Sequence, residues 1–208
     1  LKKVSWFGLT EKEMKNKWVV STIASPVYFN SSSTNSTLDS RFDSNEKGSN
    51  TNISYGLGIS YSINKKLSIR TGVSKLNFNT FTKDIVFYQD IYSKPFENVG
   101  RNSRGKLINV ENKGVNKTSS LNSFGNVTTK YDGELNQELG YVEIPFELSY
   151  KLIDKKLGID IIGGVSTLLL NNNSISIISD DMVMEIGKAS NLNGVHFSSN
   201  IGIGLNYE

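Results

Sequence analysis

Between Tyr141 and Leu170 the chain alternates. Val142, Ile144, Phe146, Leu148, Tyr150 and Leu152 are apolar, and Glu143, Pro145, Glu147, Ser149 and Lys151 stand between them. A period of two predicts a β-strand with one apolar and one polar face. After Ile153-Asp154-Lys155-Lys156 the alternation resumes. Leu157, Ile159, Ile161, Gly163, Val165, Thr167 and Leu169 form one row; Gly158, Asp160, Ile162, Gly164, Ser166 and Leu168 form the other. Strands at about 141–152 and 157–170 therefore make a long antiparallel hairpin. Strands of soluble domains run about five or six residues, whereas membrane-spanning strands need about nine to eleven. Length and sidedness together predict a transmembrane β-barrel.

Other segments repeat the pattern. In 52–63, Ile53, Tyr55, Leu57, Ile59, Tyr61 and Ile63 alternate with Ser54, Gly56, Gly58, Ser60 and Ser62. In 67–79, Leu67, Ile69, Thr71 and Val73 form the outward row, and Ser68, Arg70, Gly72 and Ser74 the inward one. The phase slips at Ser74-Lys75, which predicts either a bulge or the exit from the membrane. Strand 196–207 sets Phe197, Ser199, Ile201, Ile203, Leu205 and Tyr207 against Ser198, Asn200, Gly202, Gly204 and Asn206. Strand 18–31 has no clear sidedness, but Trp18 at one end and Tyr28-Phe29 at the other are placed like interfacial aromatic girdles. The turn Tyr61-Ser-Ile-Asn-Lys-Lys-Leu-Ser-Ile69 is echoed by Tyr150-Lys-Leu-Ile-Asp-Lys-Lys-Leu-Gly-Ile159. Short turns thus alternate with long polar connections at 30–51, 81–140 and 171–195, as expected when turns face the periplasm and loops face outward. Within those connections, 82–92 is apolar enough to continue a strand above the membrane, and 174–178 with 182–186 suggest a small hairpin outside it.

The pattern gives six strands, and bacterial single-chain barrels begin at eight. An open edge in lipid leaves backbone groups unpaired. The expectation is therefore an all-β, antiparallel, up-and-down barrel of eight strands, six of them visible, with continuation beyond Glu208. Residues 1–17 are expected to form a periplasmic linker, with a helical turn or two at 11–17, and 18–208 the barrel. The opening Leu1-Lys2-Lys3 shows no signal peptide, so a leader removed earlier or a longer chain is expected.

Composition adds limits. At 208 residues and a mean hydropathy of -0.30, no run approaches the roughly twenty apolar residues of a spanning helix. With no cysteine, thiol catalysis and thiolate metal sites are excluded. A net charge of +3 without a basic stripe argues against nucleic acid. The inward rows carry Arg70, Glu143, Glu147, Lys151 and Asp160, which are expected to pair as a charge network filling the lumen rather than to line an ion path. His196 is the only histidine. Beside Ser198 and Ser199 it evokes a lipid hydrolase, but no orienting carboxylate lies nearby in sequence, so a histidine at the barrel mouth is the simpler reading. Asp180-Asp181 with Glu185 is a lone acidic cluster, better read as solvated loop than as a cation site. The Asn-x-Ser/Thr triplets at Asn52 and Asn116 are chance occurrences in an Asn-rich chain. No catalytic, cofactor-binding or metal-binding residue is assigned.

Four segments carry a resemblance: SPVYFNS; NISYGLGISYSINKKLSIRTGVSKL with FTKDIVF; YVEIPFELSYKLIDKKLGIDIIGGVSTLLLNNN; and GKASNLNGVHFSSNIGIGLNYE. Across Trp18 to Tyr207 the chain resembles the outer-membrane β-barrel domain at the C-terminus of Bacteroidota anti-sigma-factor-like envelope proteins. In such proteins a cytoplasmic anti-sigma-like segment, one inner-membrane helix and a periplasmic linker precede the barrel. The resemblance implies two further strands after Asn200 to Tyr207. It also implies a non-enzymatic sensor or anchor in the cell outer membrane, signalling across the envelope. Its partners would be outer-membrane lipid, a surface protein at the outer loops, and a sigma factor reached through a cytoplasmic segment that this sequence lacks. The alternative is an accessory barrel of an outer-membrane secretion or assembly complex; a third is the lipid-modifying enzyme resting on His196.

Overall fold

The structure, a computed structural model, describes residues 2–3, 17–28, 35–114, 129–180 and 182–207. It is all-β, with one antiparallel sheet of eleven strands. These are β1 (Lys2–Lys3), β2 (Trp18–Tyr28), β3 (Lys47–Asn50), β4 (Asn52–Ser62), β5 (Leu67–Gln89), β6 (Val99–Arg101), β7 (Ile108–Asn112), β8 (Tyr131–Ile153), β9 (Leu157–Ser179), β10 (Met182–Ala189) and β11 (Val195–Tyr207). Among the described residues no helix is long and apolar enough to cross a membrane.

In the lower half the order is β2-β4-β5-β8-β9-β11, each strand beside its sequence neighbour in that series. The turns after β4 and β8 are short, as the sequence pattern predicts. In the upper half β5, β8 and β9 run on, each 23 residues long. There β3 and β7 flank β5, while β10 and β6 follow β9. The predicted strands 67–79, 141–152 and 157–170 thus stop short. Residues 81–140, expected to be a mainly irregular connection, hold the end of β5, β6, β7 and the start of β8. The Ser-, Asn- and Lys-rich composition there belongs partly to the solvated face of strands, and conceals their single apolar row. The expected pairing of 174–178 with 182–186 is the β9–β10 hairpin, with Val183 opposite Ile178 and Glu185 opposite Ser176. At Ser74-Lys75 there is no bulge: Ser74 faces Glu143 and Lys75 faces Val142 in continuous register. Most of 1–17 lies outside the described residues; Lys3 and Lys2 pair with Val27 and Tyr28.

The long strands reverse their polarity along their length. In the lower half of β8, Ile144, Phe146, Leu148, Tyr150 and Leu152 are exposed, whereas Glu143, Pro145 and Ser149 are buried. In its upper half Leu135 and Tyr141 are buried, and Glu138 is exposed. On β5 the outward row passes from Val73 to Lys75, and the buried row from Ser74 to Leu76 and Phe78. The change falls on one register line, because Lys75 pairs with Val142, Val142 with Leu169, and Leu169 with Val195.

Above that line lies a conventional core. Leu38, Phe42, Ile85, Phe87, Phe96, Val99, Val110, Leu135, Ile175, Ile177, Ile186 and Ala189 pack together. This cap is closed by the segment around the 3-10 turn Ser40–Phe42, where Asn98 N–H donates to the Leu38 carbonyl (3.1 Å). Just below, Val27, Leu76, Phe78, Tyr141 and Leu168 form a second cluster. It draws on β2, β5, β8 and β9 at once, so the lower sheet curls about an interior. Glycines permit the tight curl. A Cβ at Gly56 would collide with the Val73 carbonyl and stand 2.6 Å from Ser74 Cα; one at Gly164 would collide with the Phe146 carbonyl and stand 2.7 Å from Glu147 Cα. Such close backbone approach is what an interior strand glycine provides. Among the described residues the curl stops short of closure: β11 pairs with β9 alone, and β2 pairs with β4 and briefly with β1.

Candidate functional site

The interior of the lower half is the first candidate. Side chains alternate along a strand, so the odd residues of β8, the even residues of β5 and the even residues of β9 below Leu170 share it. Arg70, Glu143, Glu147, Lys151 and Asp160 all lie on these inward rows. Their contacts include neutral hydrogen-bond partners as well as charged ones. Arg70 lies opposite Glu147, with Nε 3.9 Å from Oε2, a long contact. Glu147 Oε1 accepts from Asn200 Nδ2 at 2.9 Å. Glu143, only 4% exposed, accepts from Ser74 Oγ at 3.0 Å. Lys151 sits opposite Asp160, but its ammonium donates to Asp154 at 3.2 Å, while Asp160 accepts from Asn206 Nδ2 at 3.1 Å.

Ser74, Asn200 and Asn206 are therefore partners that sequence reasoning missed. A signal existed, since each sits on an inward row and a buried carboxylate requires donors. Counting only charged residues hid them. Between β2 and β11 the interior narrows to a cavity of about 40 Å³. Val27, Glu143, Leu168, Ser198 and Asn200 line it. That is room for one or two water molecules.

His196 points inward, with its ring edge-on to Tyr141 at 5.6 Å between centroids. Its Nε2 is buried and has no hydrogen-bond partner, so no bond joins it to Ser198 or Ser199. Ser199 lies on the exposed row. A base must reach the proton it removes, and this arrangement does not assemble a Ser–His pair. Asp180 sits in the β9–β10 turn with φ of 42° and Glu185 on the exposed row of β10, while Asp181 lies outside the described residues. Among the described residues no three acidic or histidine side chains converge as metal ligands do. Asn52 and Ser54 are part of β4, and Asn116 lies outside the described residues.

The cap is the second candidate, and one buried pair organises it. Asp39 is 2% exposed and accepts from Arg41 Nε and Nη2, both at 2.8 Å, a bidentate geometry. The guanidinium also donates to the carbonyls of Val110 (3.3 Å) and Pro95 (3.1 Å), and lies against the Phe42–Phe96 ring pair, 5.6 and 5.0 Å from the two centroids. One side chain thus ties the Ser40–Phe42 turn to β7 and to the 90–98 segment. Burial by itself raises the Asp39 carboxyl. Hydrogen bonds from the Arg41 side chain and backbone and from the Glu97 backbone, with the Arg41 charge, outweigh burial and hold the pKa below its ordinary value. A second group joins Tyr88, Glu111 and Lys130: the Tyr88 hydroxyl donates to Glu111 (2.9 Å), and Lys130 pairs with the other carboxylate oxygen at 3.0 Å. Comparison with family models, characterised proteins and solved structures finds no match to this chain.

Proposed function

We propose that this chain is a non-enzymatic outer-membrane β-barrel domain: the lower half stands in the bilayer and the folded cap stands outside the cell. The observation that carries this reading is the polarity reversal along β5, β8 and β9. Below the line, exposed Val, Ile, Leu and Phe cover a buried row of Glu, Ser, Gly, Arg and Asn. Water penalises that arrangement, and lipid favours it. From Val142 to Leu152 a strand rises about 34 Å, which at a tilt of about 45° spans about 24 Å, the height of an outer-membrane apolar band. Trp18 and Tyr61, whose rings lie 4.7 Å apart, mark the turn end of the band. In lipid the free edges of β2 and β11 need hydrogen-bond partners. Two further antiparallel strands between them bring the wall to eight. The narrow, side-chain-filled interior makes the lower half an anchor rather than a pore.

The signalling role, sensing or anchoring in communication with a sigma factor, rests on the resemblance of the strand segments to barrels of envelope-spanning anti-sigma-factor-like proteins. A cap on three strands continuous with the membrane band suits a surface sensor. Membership of a secretion or assembly complex is the competing role, because a rigid cap on a small barrel also suits a subunit. Two measurements separate these claims. Cell fractionation with protease applied to intact cells tests location: cap fragments released with the band protected support the barrel, and a chain found wholly in a soluble fraction refutes it. Deleting the barrel-coding region alone and reading the transcriptome tests the role. A small coherent regulon supports signalling, whereas general envelope stress or no change removes it.

A further inference from the structure

We propose that the distal rim of the cap binds the same rim on a second copy of this chain. The exposed large apolar residues divide into two sets. One covers the lower band. The other is Ile91, Tyr92, Leu107, Tyr131, Met182 and Val183, all at the far end of the sheet. Tyr92 and Val183 are 71% and 70% exposed, although the cap beneath them is otherwise apolar inside and polar outside. The neighbouring strand ends place these residues around one rim. Tyr131 pairs with Phe87, the Asp90 N–H donates to the Leu107 carbonyl (2.8 Å), and Ser179 Oγ donates to the Asp132 carbonyl. The rim is joined on its other side where the Asn102 N–H donates to the Ile186 carbonyl (2.9 Å).

Charge selects the occupant. The β9–β10 hairpin presents exposed Asp180 and Glu185 and no base between Ser179 and Gly187. Beside it, the segment from Arg101 to Leu107 presents exposed Arg104 and Lys106 and no acid. An acidic lobe next to a basic lobe, flanked by apolar side chains, is self-complementary: a two-fold axis between the lobes sets each acid lobe against the partner's basic lobe. An interface this small is weak and salt-sensitive. Because the rim is opposite the apolar band, it is free to pair whether or not the band sits in lipid, so the inference stands apart from the membrane reading.

The test is sedimentation of the purified chain in detergent at low and high salt, with two charge-reversed variants. Arg104→Glu with Lys106→Glu reverses the basic lobe; Asp180→Lys with Glu185→Lys reverses the acidic lobe. Near-ultraviolet circular dichroism confirms that each is folded. The expected result is concentration-dependent dimer for the native chain, at least tenfold weaker self-association for each variant alone, and recovery when the two variants are mixed. Val183→Asp should weaken the dimer similarly. A native chain that stays monomeric, variants that dimerise as before, or a mixture no tighter than its components would each overturn the proposal, as would rim binding seen only with a different protein.

Discussion

Phe146→Arg separates a lipid-facing sheet from a solvent-facing one. Phe146 lies near the middle of the lower half of β8, with 55% of its surface exposed. In lipid that exposed half is covered by acyl chains, contributing about 1–1.5 kcal/mol, half of what full burial of such a side chain yields. Losing it and placing a guanidinium near the bilayer midplane adds about 2–4 kcal/mol. The sum is a loss of about 3–5.5 kcal/mol. In water the same exchange at a half-exposed position changes stability by no more than about 0.5 kcal/mol. Asn77→Arg is the control, because Asn77 lies on the outward row of β5 above the polarity line and is expected to stay within about 0.5 kcal/mol in either medium. The assay is equilibrium urea unfolding in phospholipid vesicles, followed by tryptophan fluorescence. A Phe146→Arg loss below about 1 kcal/mol, or equal to that of Asn77→Arg, would refute the assignment of the outward row to lipid.

Arg41→Ala strips the buried Asp39 carboxylate of its bidentate partner and removes the cation from beside the Phe42 and Phe96 rings; with Arg41 itself a quarter exposed, the low end of the buried-pair range applies, about 3 kcal/mol, read as faster amide exchange in the cap. The Asp39 carboxyl is held below its unfolded value of about 3.9, so its contribution is present above that pH and disappears as acid titrates the folded form. Cap stability should therefore fall below about pH 4, and Asp39→Asn should flatten that dependence while lowering stability at neutral pH; an unchanged acid limb would count against the pair. Gly164→Ala should cost about 1–3 kcal/mol or block folding, measured by urea unfolding, because the new methyl meets the β8 backbone, whereas Gly202→Ala, with nothing within 4 Å of the added carbon, should be tolerated. On the proposed barrel reading the chain should pass no measurable ion current in planar bilayers, because side chains fill the interior of an eight-stranded barrel; steady single-channel conductance would overturn that reading.

Most of the lower half was legible because its strands, β2 apart, alternate apolar and polar or small residues. Ile53 to Tyr61 alternates perfectly with Ser and Gly, and the structure places Ile53, Tyr55, Leu57 and Ile59 outside and Ser54 and Gly58 inside. Strand β2 was legible only as a strand. Its two rows are both partly apolar, and Val27 is buried where Val20 is exposed because the β2–β4 register, not hydropathy, fixes the faces. The cap was largely hidden. Its core residues are scattered singly, with Leu38, Phe42, Phe96, Val99 and Val110 each framed by polar residues, and only long-range pairing collects them. Among the lumen groups, position along the strand was readable, and partner choice was not. Glu143 meets Ser74 directly opposite it on β5, Asp160 meets Asn206 on the neighbouring β11, and Glu147 meets Asn200 two strands away, all neutral donors that a count of charges overlooks.

The reversal of polarity is built differently on adjacent strands, and this is why periodicity alone conceals it. On β8 the odd residues face inward from Leu135 to Lys151, in unbroken register with β5 from Leu135 to Tyr150. Inversion there needs a change of phase in the sequence: the apolar row is odd through Tyr141 and even from Val142. On β9 the apolar residues stay odd, from Leu157 to Leu169 and again at Ile175 and Ile177. Yet Leu169 is exposed and Ile175 buried. The cause is one extra residue: Tyr141 pairs with Leu170 but Gly140 with Asn172, so Asn171 is inserted relative to β8. A bulge shifts every following side chain to the other face. Asn171 thereby turns the odd row from the outside of the lower half to the inside of the cap. Phase change on one strand and insertion on its neighbour keep the two in pairing while both invert, and a sequence that obeyed only one device would leave apolar residues on the wrong face of one half.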